Sequence, residues 1–493
     1  MAAETLDIQA PVKSKVTEFE RPAASVWSGW RKFAFRASFI YLLFLCLPID
    51  PDVYEYIAKM DITQLNCRDL FIIATYHTPD VITLDTESFK WGIAGYLNIV
   101  LPFLAALPLA GIWSLFDKSR REYTKLSYWI EVIVRYRVAI GLIAWGYRKL
   151  LPGQMVLPTL TILNTPFADL QAQKHYWQSV GIVPGYEVFL GAAEFIAGFL
   201  LLFRKTSAFG AALTAVLMFN VALANHAYDG SVHIHSAVYA VLATFLVWNY
   251  LPKIWDLLYK QKDTVVIKYY PAFSAGWLRY TRIGIKTAVF GVFVASFFVL
   301  QVIDYREVPY RLPVTPGITG LTGRYEVTEF KLNDKTLPYN PLDSVRWQEA
   351  IFEKWSTLTF KVNSAASPDR SNGGGYSKKD MERKWEIAGI GGGRRWYYYK
   401  ADTVSQTIYL QNKNNSHCGD KNALNYKQQY GNKIAESSSE GCDQTFSFHY
   451  QKVGDTRVIL NGIDQDNQKL YIVLDRADKY YTVLPGNSQP ILQ

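Results

Sequence analysis

The sequence predicts an α+β membrane protein in two parts: a polytopic α-helical bundle of about seven transmembrane helices, then an all-β barrel or sandwich domain. The first observation behind this prediction is a change in composition. Up to Ile303 the chain is rich in Leu, Ala, Phe, Trp and Ile, and after Asp304 it becomes polar, with many Asn, Lys, Gly, Ser and Tyr residues. The second is a series of apolar runs of roughly 20 residues, the length that a helix needs to cross a bilayer.

The apolar runs set the domain organisation that we predict. They are Phe33–Ile49, Trp91–Phe116, Tyr128–Leu151, Tyr186–Phe203, Ser207–Asn225, Val232–Leu251 and Ile283–Ile303. We divide the chain into a cytoplasmic N-terminal segment (1–32), two leading transmembrane helices with an outer loop (33–126), a four-helix membrane bundle (127–260), a cytoplasmic loop with the last transmembrane helix (261–303) and an extracytoplasmic β domain (304–493).

The distribution of charge predicts how the chain is oriented. Basic residues concentrate in alternate loops, such as the one after span two and the turn at Arg204 and Lys205, whereas the loop from Asp50 to Lys90 is acidic. Cytoplasmic loops of membrane proteins carry the excess of Lys and Arg. We therefore expect a bacterial-type inner membrane protein with a cytoplasmic N-terminus and a β domain outside. The net charge of the chain is +9, and its basic residues lie mainly in these loops. We therefore expect the protein to contact the lipid bilayer and not nucleic acid.

The four cysteines fit this orientation. Cys418 and Cys442 both fall in the predicted external domain, where an oxidising compartment permits a disulfide, and we expect them to pair. Cys46 and Cys67 also share the outer side, and are either a second bridge or two inert thiols. The sequence contains no Cys-x-x-Cys motif of the kind used for thiol exchange or haem attachment.

The turn Asn225–His235, between predicted spans five and six, holds three of the seven histidines of the chain. Its ionisable residues are His226, Asp229, His233 and His235. Ionisable groups at the ends of membrane helices that face a bundle are functional candidates. Residues two apart on a helix point about 200° away from each other, so His233 and His235 do not share a metal ion on a regular helix. We accordingly predict no metal site, and no haem held by these histidines.

Predicted spans three and four carry the other polar candidates. Arg137 and Arg148 lie three helical turns apart on one side of span three. In span four, one stripe is formed by Glu187, Gly191, Glu194 and Gly198. Small residues let membrane helices approach closely, and a carboxylate among them has to face the bundle. We expect Glu194 to lie nearest to Arg148 or to a histidine of the turn; the alternative is a buried pair with an arginine that fixes helix register.

These groups predict one outward-facing polar pocket. Its proton-transfer residues would be Glu194, His233 and His235. The groups that would contact the ligand are Arg137, Arg148, Glu187, Asn225, His226 and Asp229. A few convergent polar groups in an apolar bundle are typical of small-molecule sites.

Three segments of spans three and four carry a resemblance to a known family. They are Arg137–Gly141, Gly146–Leu150 and Gly191–Leu202. Spans three to six resemble the DoxX-like family of four-helix membrane proteins associated with redox chemistry. The resemblance implies a protein in or beside a membrane oxidoreductase complex, and some members of the family handle sulfur compounds and quinone.

The β domain reads as short strands rich in Tyr, Trp, Val and Thr that are separated by turn residues. Leu321–Val327 resembles the opening Gly-x-Trp strand of lipocalin-like barrels, with Tyr325 in place of the tryptophan. A closed eight-stranded barrel holds one small ligand or is filled by side chains. A β-sandwich is the alternative architecture.

Two functions follow. The first is a redox-associated membrane protein that binds a quinone-like or other small redox-active molecule in the outer pocket. No flavin, dinucleotide or covalent haem motif is visible in the sequence, so electrons would come from a membrane or periplasmic redox subunit or from a diffusible ligand. The second is a non-enzymatic scaffold that presents the β domain to an envelope partner. The sequence leaves open whether the protein is itself catalytic.

Overall fold

The computed structural model describes residues 26–78, 80–82, 84, 92–155, 157–230, 232–264, 269–271, 275–365, 368–369, 379–414 and 445–483. It consists of a helical N-terminal half and a C-terminal β-barrel, which confirms the two-part α+β organisation. Cys418 and Cys442 lie outside the described residues. Cys46 and Cys67 are two free, buried thiols, so they do not form a bridge.

The N-terminal half is built from α-helices. They are α1 (Gly29–Cys46), α2 (Pro51–Lys59), α3 (Cys67–Thr75), α4 (Leu97–Phe116), α5 (Thr124–Leu150), α6 (Leu160–Leu163), α7 (Ala172–Gly181), α8 (Pro184–Leu201), α9 (Ser207–Ala227), α10 (His233–Trp248), α11 (Leu251–Leu258), α12 (Gly276–Phe290) and α13 (Phe297–Glu307). A π-helical segment, Gly291–Ser296, joins α12 to α13 in one long helix.

Length and composition identify a membrane protein. Within the described residues, five helical stretches are long and apolar enough to cross a bilayer, and six are if α10 and α11, which bend by 61°, form one span. The expected third span lies within α5, which carries more charge than those stretches. Thirteen of the 27 residues of α5 are nevertheless buried, among them Arg135, Arg137 and Lys149. These three charges therefore face protein, as the cost of exposing them to lipid requires.

The small-residue stripe of α8 packs against another helix, as predicted, and that helix is α5. A β-carbon at Gly191 would lie 2.7 Å from Lys149 Cβ, and one at Gly198 would lie 2.9 Å from the carbonyl oxygen of Ala139. The two helices thus approach too closely for any larger side chain at either position. Glu194 belongs to the same stripe and is 4% exposed, so it faces the bundle interior.

The C-terminal half contains β1 (Gly323–Leu332), β2 (Lys335–Thr336), β3 (Glu349–Phe352), β4 (Thr357–Lys361), β5 (Arg394–Asp402), β6 (Thr407–Asn412), β7 (Thr445–Val453), β8 (Arg457–Ile463) and β9 (Lys469–Arg476). Neighbours pair antiparallel, β2 is a short addition to β1, and β9 pairs with β1. The remaining eight strands close into a barrel and not a sandwich. Aromatic and aliphatic side chains fill its interior; the rings of Trp347 and Phe360, for example, stack at 3.6 Å.

The barrel rests on the segment between α5 and α8. The Glu353 carboxylate accepts hydrogen bonds from the backbone N–H groups of Leu160 and Thr161, at 3.2 and 2.8 Å. Trp177 of α7 stacks on Trp385 at 6.0 Å. These contacts are buried, so the two halves are joined by a defined interface.

Candidate functional site

The end of the bundle that faces the barrel, which we call the barrel end, comprises the C-terminal turns of α5 and α9 and the N-terminal turns of α8 and α10. Most of the predicted site residues lie there, whereas Arg137 and Glu194 lie near the middle of α5 and of α8. The sequence suggested a single pocket formed by all of these residues, and the structure does not bring them together in that way. They separate into distinct groups, each held by a different pair of structural elements.

The first group is a buried ion pair between α5 and α8. Lys149 Nζ donates to both carboxylate oxygens of Glu194, at 2.9 and 2.7 Å. The two side chains are 8% and 5% exposed. The partner of Glu194 is therefore Lys149, and the expectation of Arg148 or a histidine was wrong. The close contact at Gly191 holds Lys149 against α8, which explains why this residue reaches the carboxylate.

Glu187, one turn into α8, has a structural partner. One of its carboxylate oxygens accepts hydrogen bonds from the backbone N–H groups of Gln154 and Met155, at 2.9 and 3.0 Å. The residue is 1% exposed. Glu187 thus stabilises the loop that follows α5 through two hydrogen bonds from backbone N–H groups.

Arg137 forms the centre of the second group. Its guanidinium donates to the hydroxyl of Tyr239 and to the carbonyl oxygens of Ala74 and Tyr76, at 2.5, 3.0 and 2.6 Å. Its Cζ lies 3.8 Å from the ring centroid of Tyr76. Gly141 makes room for Tyr239, because a β-carbon there would lie 1.9 Å from the tyrosine hydroxyl. Arg137 therefore ties α5 to α10 and to the end of α3.

His235 adds a buried imidazole to the Arg137 group. Its ring centroid lies 4.6 Å from that of His77, 4.9 Å from that of Tyr239 and 6.2 Å from that of Trp145. Within the described residues, His235 Nε2 is buried and has no hydrogen-bonding partner. Burial, together with the charge of Arg137, lowers the pKa of His77 to about 4, so this ring is neutral at pH 7.

Trp145 connects the first two groups. Lys149 Nζ lies 5.7 Å from its ring centroid, and the rings of Phe71 and His235 are also its neighbours. We call the set Arg137, Trp145, His77, His235 and Tyr239 the aromatic cluster. It is a compact group of flat rings with a guanidinium on one side and the Lys149–Glu194 pair on the other.

The turn after α9 forms a third group, separate from the aromatic cluster. His233 lies with His226 and Tyr96, at ring-centroid distances of 5.9 and 5.6 Å. His233 Nε2 and His226 Nδ1 are buried without hydrogen-bonding partners in the described part of the chain. His233 and His235 thus point into different groups, as their spacing on a helix predicted.

Asn225 and Asp229 have conformational roles in this turn. The backbone carbonyl of Asn225 accepts from Gly230 N–H at 2.6 Å, and the Asn225 side chain lies 3.5 Å from Ser236 Oγ. Asp229 is exposed and has a φ of 52°, a left-handed conformation that Asp tolerates better than most residues. Neither residue forms a hydrogen bond with the aromatic cluster, so we do not retain them as ligand-binding residues.

Arg148 faces the barrel. Its Cζ lies 4.6 Å from the ring centroid of Phe71 and 5.7 Å from that of Trp385. It therefore bridges α3 and the C-terminal half, and it lies on a different side of α5 from Lys149.

Sequence reasoning missed four of the residues that form these groups. They are His77, Trp145, Lys149 and Tyr239. Tyr239 carries a local signal, because it follows His235 by four residues and so lies on the same face of α10. Lys149 carries one because it is a charged residue in a predicted membrane span. His77 has no local signal, since it arrives from the loop after α3. Among the described residues, no group of three or more His, Cys, Asp or Glu side chains is arranged to hold a metal ion.

Comparison with known proteins gives little guidance. No family model matches the chain, and no solved structure matches it. The chain is 29% identical over 122 residues to the "Uncharacterized protein YwoB" of Bacillus subtilis (strain 168), which is 24% of this chain and 75% of that protein. The match does not establish a family.

Proposed function

We propose that this membrane protein binds a small redox-active molecule with a quinone-like head group at the barrel end of the bundle. The observation that carries the proposal is the buried imidazole of His235, which has an unpartnered Nε2 among flat rings and lies beside Arg137. The DoxX-like resemblance of spans three to six supports the same class of ligand.

The chemistry of the aromatic cluster suits such a head group. A quinone is flat and largely apolar, and its two carbonyl oxygens accept hydrogen bonds. Trp145, His77 and Tyr239 would supply aromatic surface for the ring. Of the nitrogens that could donate to a carbonyl, His235 Nε2 and Arg137 Nε are both buried without a partner among the described residues. Small-molecule sites combine apolar walls with a few placed polar groups in this way.

The structure narrows the roles that the sequence suggested. Glu194 is held by Lys149 and is proposed to compensate charge beside the cluster instead of relaying protons. His235 is the proposed hydrogen-bonding and proton-exchanging group, because a neutral imidazole carries one N–H donor and one acceptor nitrogen. Reduction of a quinone takes up two electrons and two protons; the electrons would come from a membrane or periplasmic redox subunit.

The proposal includes the placement of the protein. The alternation of basic and acidic loops supports an inner membrane location with the N-terminus in the cytoplasm and the barrel outside. The barrel end, and with it the aromatic cluster, would then lie near the outer face of the membrane.

A binding experiment with a matched control tests the proposed function. Purified protein in detergent is titrated with a short-chain quinone analogue by calorimetry, alongside the variants His235→Phe and His175→Phe. His175 is the control because it stacks on Phe167, in the segment between α6 and α7, and not in the cluster. We expect the wild type and His175→Phe to bind alike, and His235→Phe to bind at least about tenfold more weakly, since a hydrogen bond inside a buried site contributes about 1.5 kcal/mol.

Thermal unfolding of His235→Phe in the same detergent establishes that the variant is folded. The proposal is wrong if the wild type binds no quinone analogue, or if the folded His235→Phe variant binds it as tightly as the wild type.

A second function, a scaffold that presents the barrel to an envelope partner, is favoured by one observation. The barrel interior is filled by its own aromatic side chains, and its base is fixed to the helical half by the buried contacts of Glu353. Such a domain presents a rigid outer surface. Failure of the wild type to bind quinone, together with a specific crosslink from the barrel surface to one envelope protein, would favour the scaffold.

A further inference from the structure

A group of cationic side chains with no role in the proposed function extends from the middle of α5 towards the end of the bundle opposite the barrel. We call it the basic-end cluster. It consists of Arg135 on α5, Arg204 in the turn after α8, and Arg282 and Lys286 on α12. Lys286 lies within electrostatic range of all three arginines. Three separate segments of the chain thus bring positive charge to one place.

Arg135 is the unusual member of the cluster, because it is buried without an ionic partner. It is 6% exposed, and its Nε has no hydrogen-bonding partner in the described part of the chain. Its guanidinium lies beside the ring of the neighbouring Tyr136, whose centroid is 5.4 Å from Arg135 Cζ. A buried charge that lacks a counter-charge is costly, and such charges in proteins are normally paired. An anion from outside the chain would supply the missing partner.

Arg204 contacts aromatic groups, which are uncharged and do not neutralise its guanidinium. Its guanidinium donates to the hydroxyl of Tyr128 at 2.5 Å, and its Cζ lies 4.8 Å from the ring centroid of Tyr270. Glu131, one turn before Arg135 on α5, brings one negative charge to the same end and engages in an interaction of its own. Arg282 also engages in an interaction of its own, so Arg135 is the member of the cluster that most needs an external anion.

The position of α12 gives access from the lipid side. No residue of α12 is buried, whereas the π segment and α13, which continue the same helix, contribute Val294, Phe297 and Gln301 to the protein interior. Within an apolar window of 18 residues, 6% of the residues of this long helix are buried, compared with 22–33% in the other four unbroken candidate spans. Its exposed Ile283 and Ile285 offer apolar surface to acyl chains beside Lys286.

We propose that the basic-end cluster binds the phosphate of an anionic phospholipid head group. Arginine pairs well with phosphate because its guanidinium presents several donors in a fixed plane. Basic pockets between membrane helices on the cytoplasmic side bind anionic head groups, and the charge pattern predicts this end to be cytoplasmic. A lipid is favoured over free phosphate because the cluster adjoins the exposed apolar face of α12.

The experiment measures thermal unfolding of the delipidated protein in neutral detergent with added ligand. The ligands are phosphatidylglycerol, phosphatidylcholine of the same acyl chains, and inorganic phosphate. We expect phosphatidylglycerol to raise the unfolding temperature in a saturable way, and the other two to have no comparable effect. An equal response to phosphatidylcholine would overturn the selectivity for anionic lipid, and an equal response to inorganic phosphate would overturn the lipid as source.

Variants test whether phosphatidylglycerol binds at the basic-end cluster. The apparent affinity for phosphatidylglycerol should fall about tenfold or more in Arg135→Gln, because a buried charge-assisted contact contributes about 1.5–3 kcal/mol. Lys286→Gln is a second variant at an exposed position, where the fold is not at risk, and it should weaken binding less. Lys262→Gln, an exposed lysine in the loop after α11, is the control and should bind like the wild type. Wild-type affinity in both cluster variants would refute the proposal.

Discussion

Replacing Glu194 by glutamine should lower the free energy of unfolding by about 3–5 kcal/mol. The amide keeps the shape of the side chain and removes its charge, which leaves the buried Lys149 ammonium without its directly bonded carboxylate. Lys149 cannot move to solvent easily, because its β-carbon is packed against the Gly191 position of α8. Both side chains are less than a tenth exposed, so water does not replace the lost partner.

A double-mutant cycle separates the pair from its surroundings. Lys149→Met should cost a similar amount, because it leaves the Glu194 carboxylate alone. The double variant Lys149→Met/Glu194→Gln should be more stable than the sum of the two changes by about 3 kcal/mol, since no unpaired charge is left. Denaturant titration in detergent micelles, followed by tryptophan fluorescence, gives the three values. Single variants within about 0.5 kcal/mol of the wild type, with additive effects, would show that the pair is not a buried interaction.

Four further predictions concern packing, pH, topology and the β domain. Gly141→Ala should cost about 1–3 kcal/mol by forcing Tyr239 away from α5, whereas Gly111→Ala, where nothing lies within 4 Å of the new carbon, should be neutral in the same unfolding assay. Burial raises the pKa of Glu353 to about 7; the folded state therefore keeps a proton that the unfolded state loses near pH 4.3, and stability should fall by about 3 kcal/mol as pH rises from about 4 to about 7. Glu353→Gln should remove this slope from a pH series of unfolding temperatures. A membrane-impermeant protease added to intact spheroplasts should cleave within the β domain, and protection of that domain would reverse the topology. Non-reducing peptide mapping should recover the two cysteines of the β domain as one disulfide-linked peptide pair, and two free thiols from an oxidising preparation would contradict it.

Several features of the fold could be predicted because they depend on local properties of the chain. Hydrophobic length locates the helices, since a span has to match the thickness of the bilayer. The inward position of Glu194 follows from the cost of placing a carboxylate in lipid, and its packing against a helix follows from Gly191 and Gly198. The divergence of His233 and His235 follows from helix geometry alone. Each argument uses residues within one element.

What the sequence could not decide depends on how separate elements meet. Arg148 and Lys149 are neighbours in α5 and point about 100° apart, so the rotation of α5 against α8 and α3 decides which of them reaches Glu194. His77 joins His235 from a loop more than 150 residues away, and no periodicity links the two. The pairing of β9 with β1 closes the barrel, and strand alternation is the same in a barrel and in a sandwich. Hydropathy and helical spacing therefore determined what is buried in this protein, whereas the contacts between elements determined the partner of each buried group.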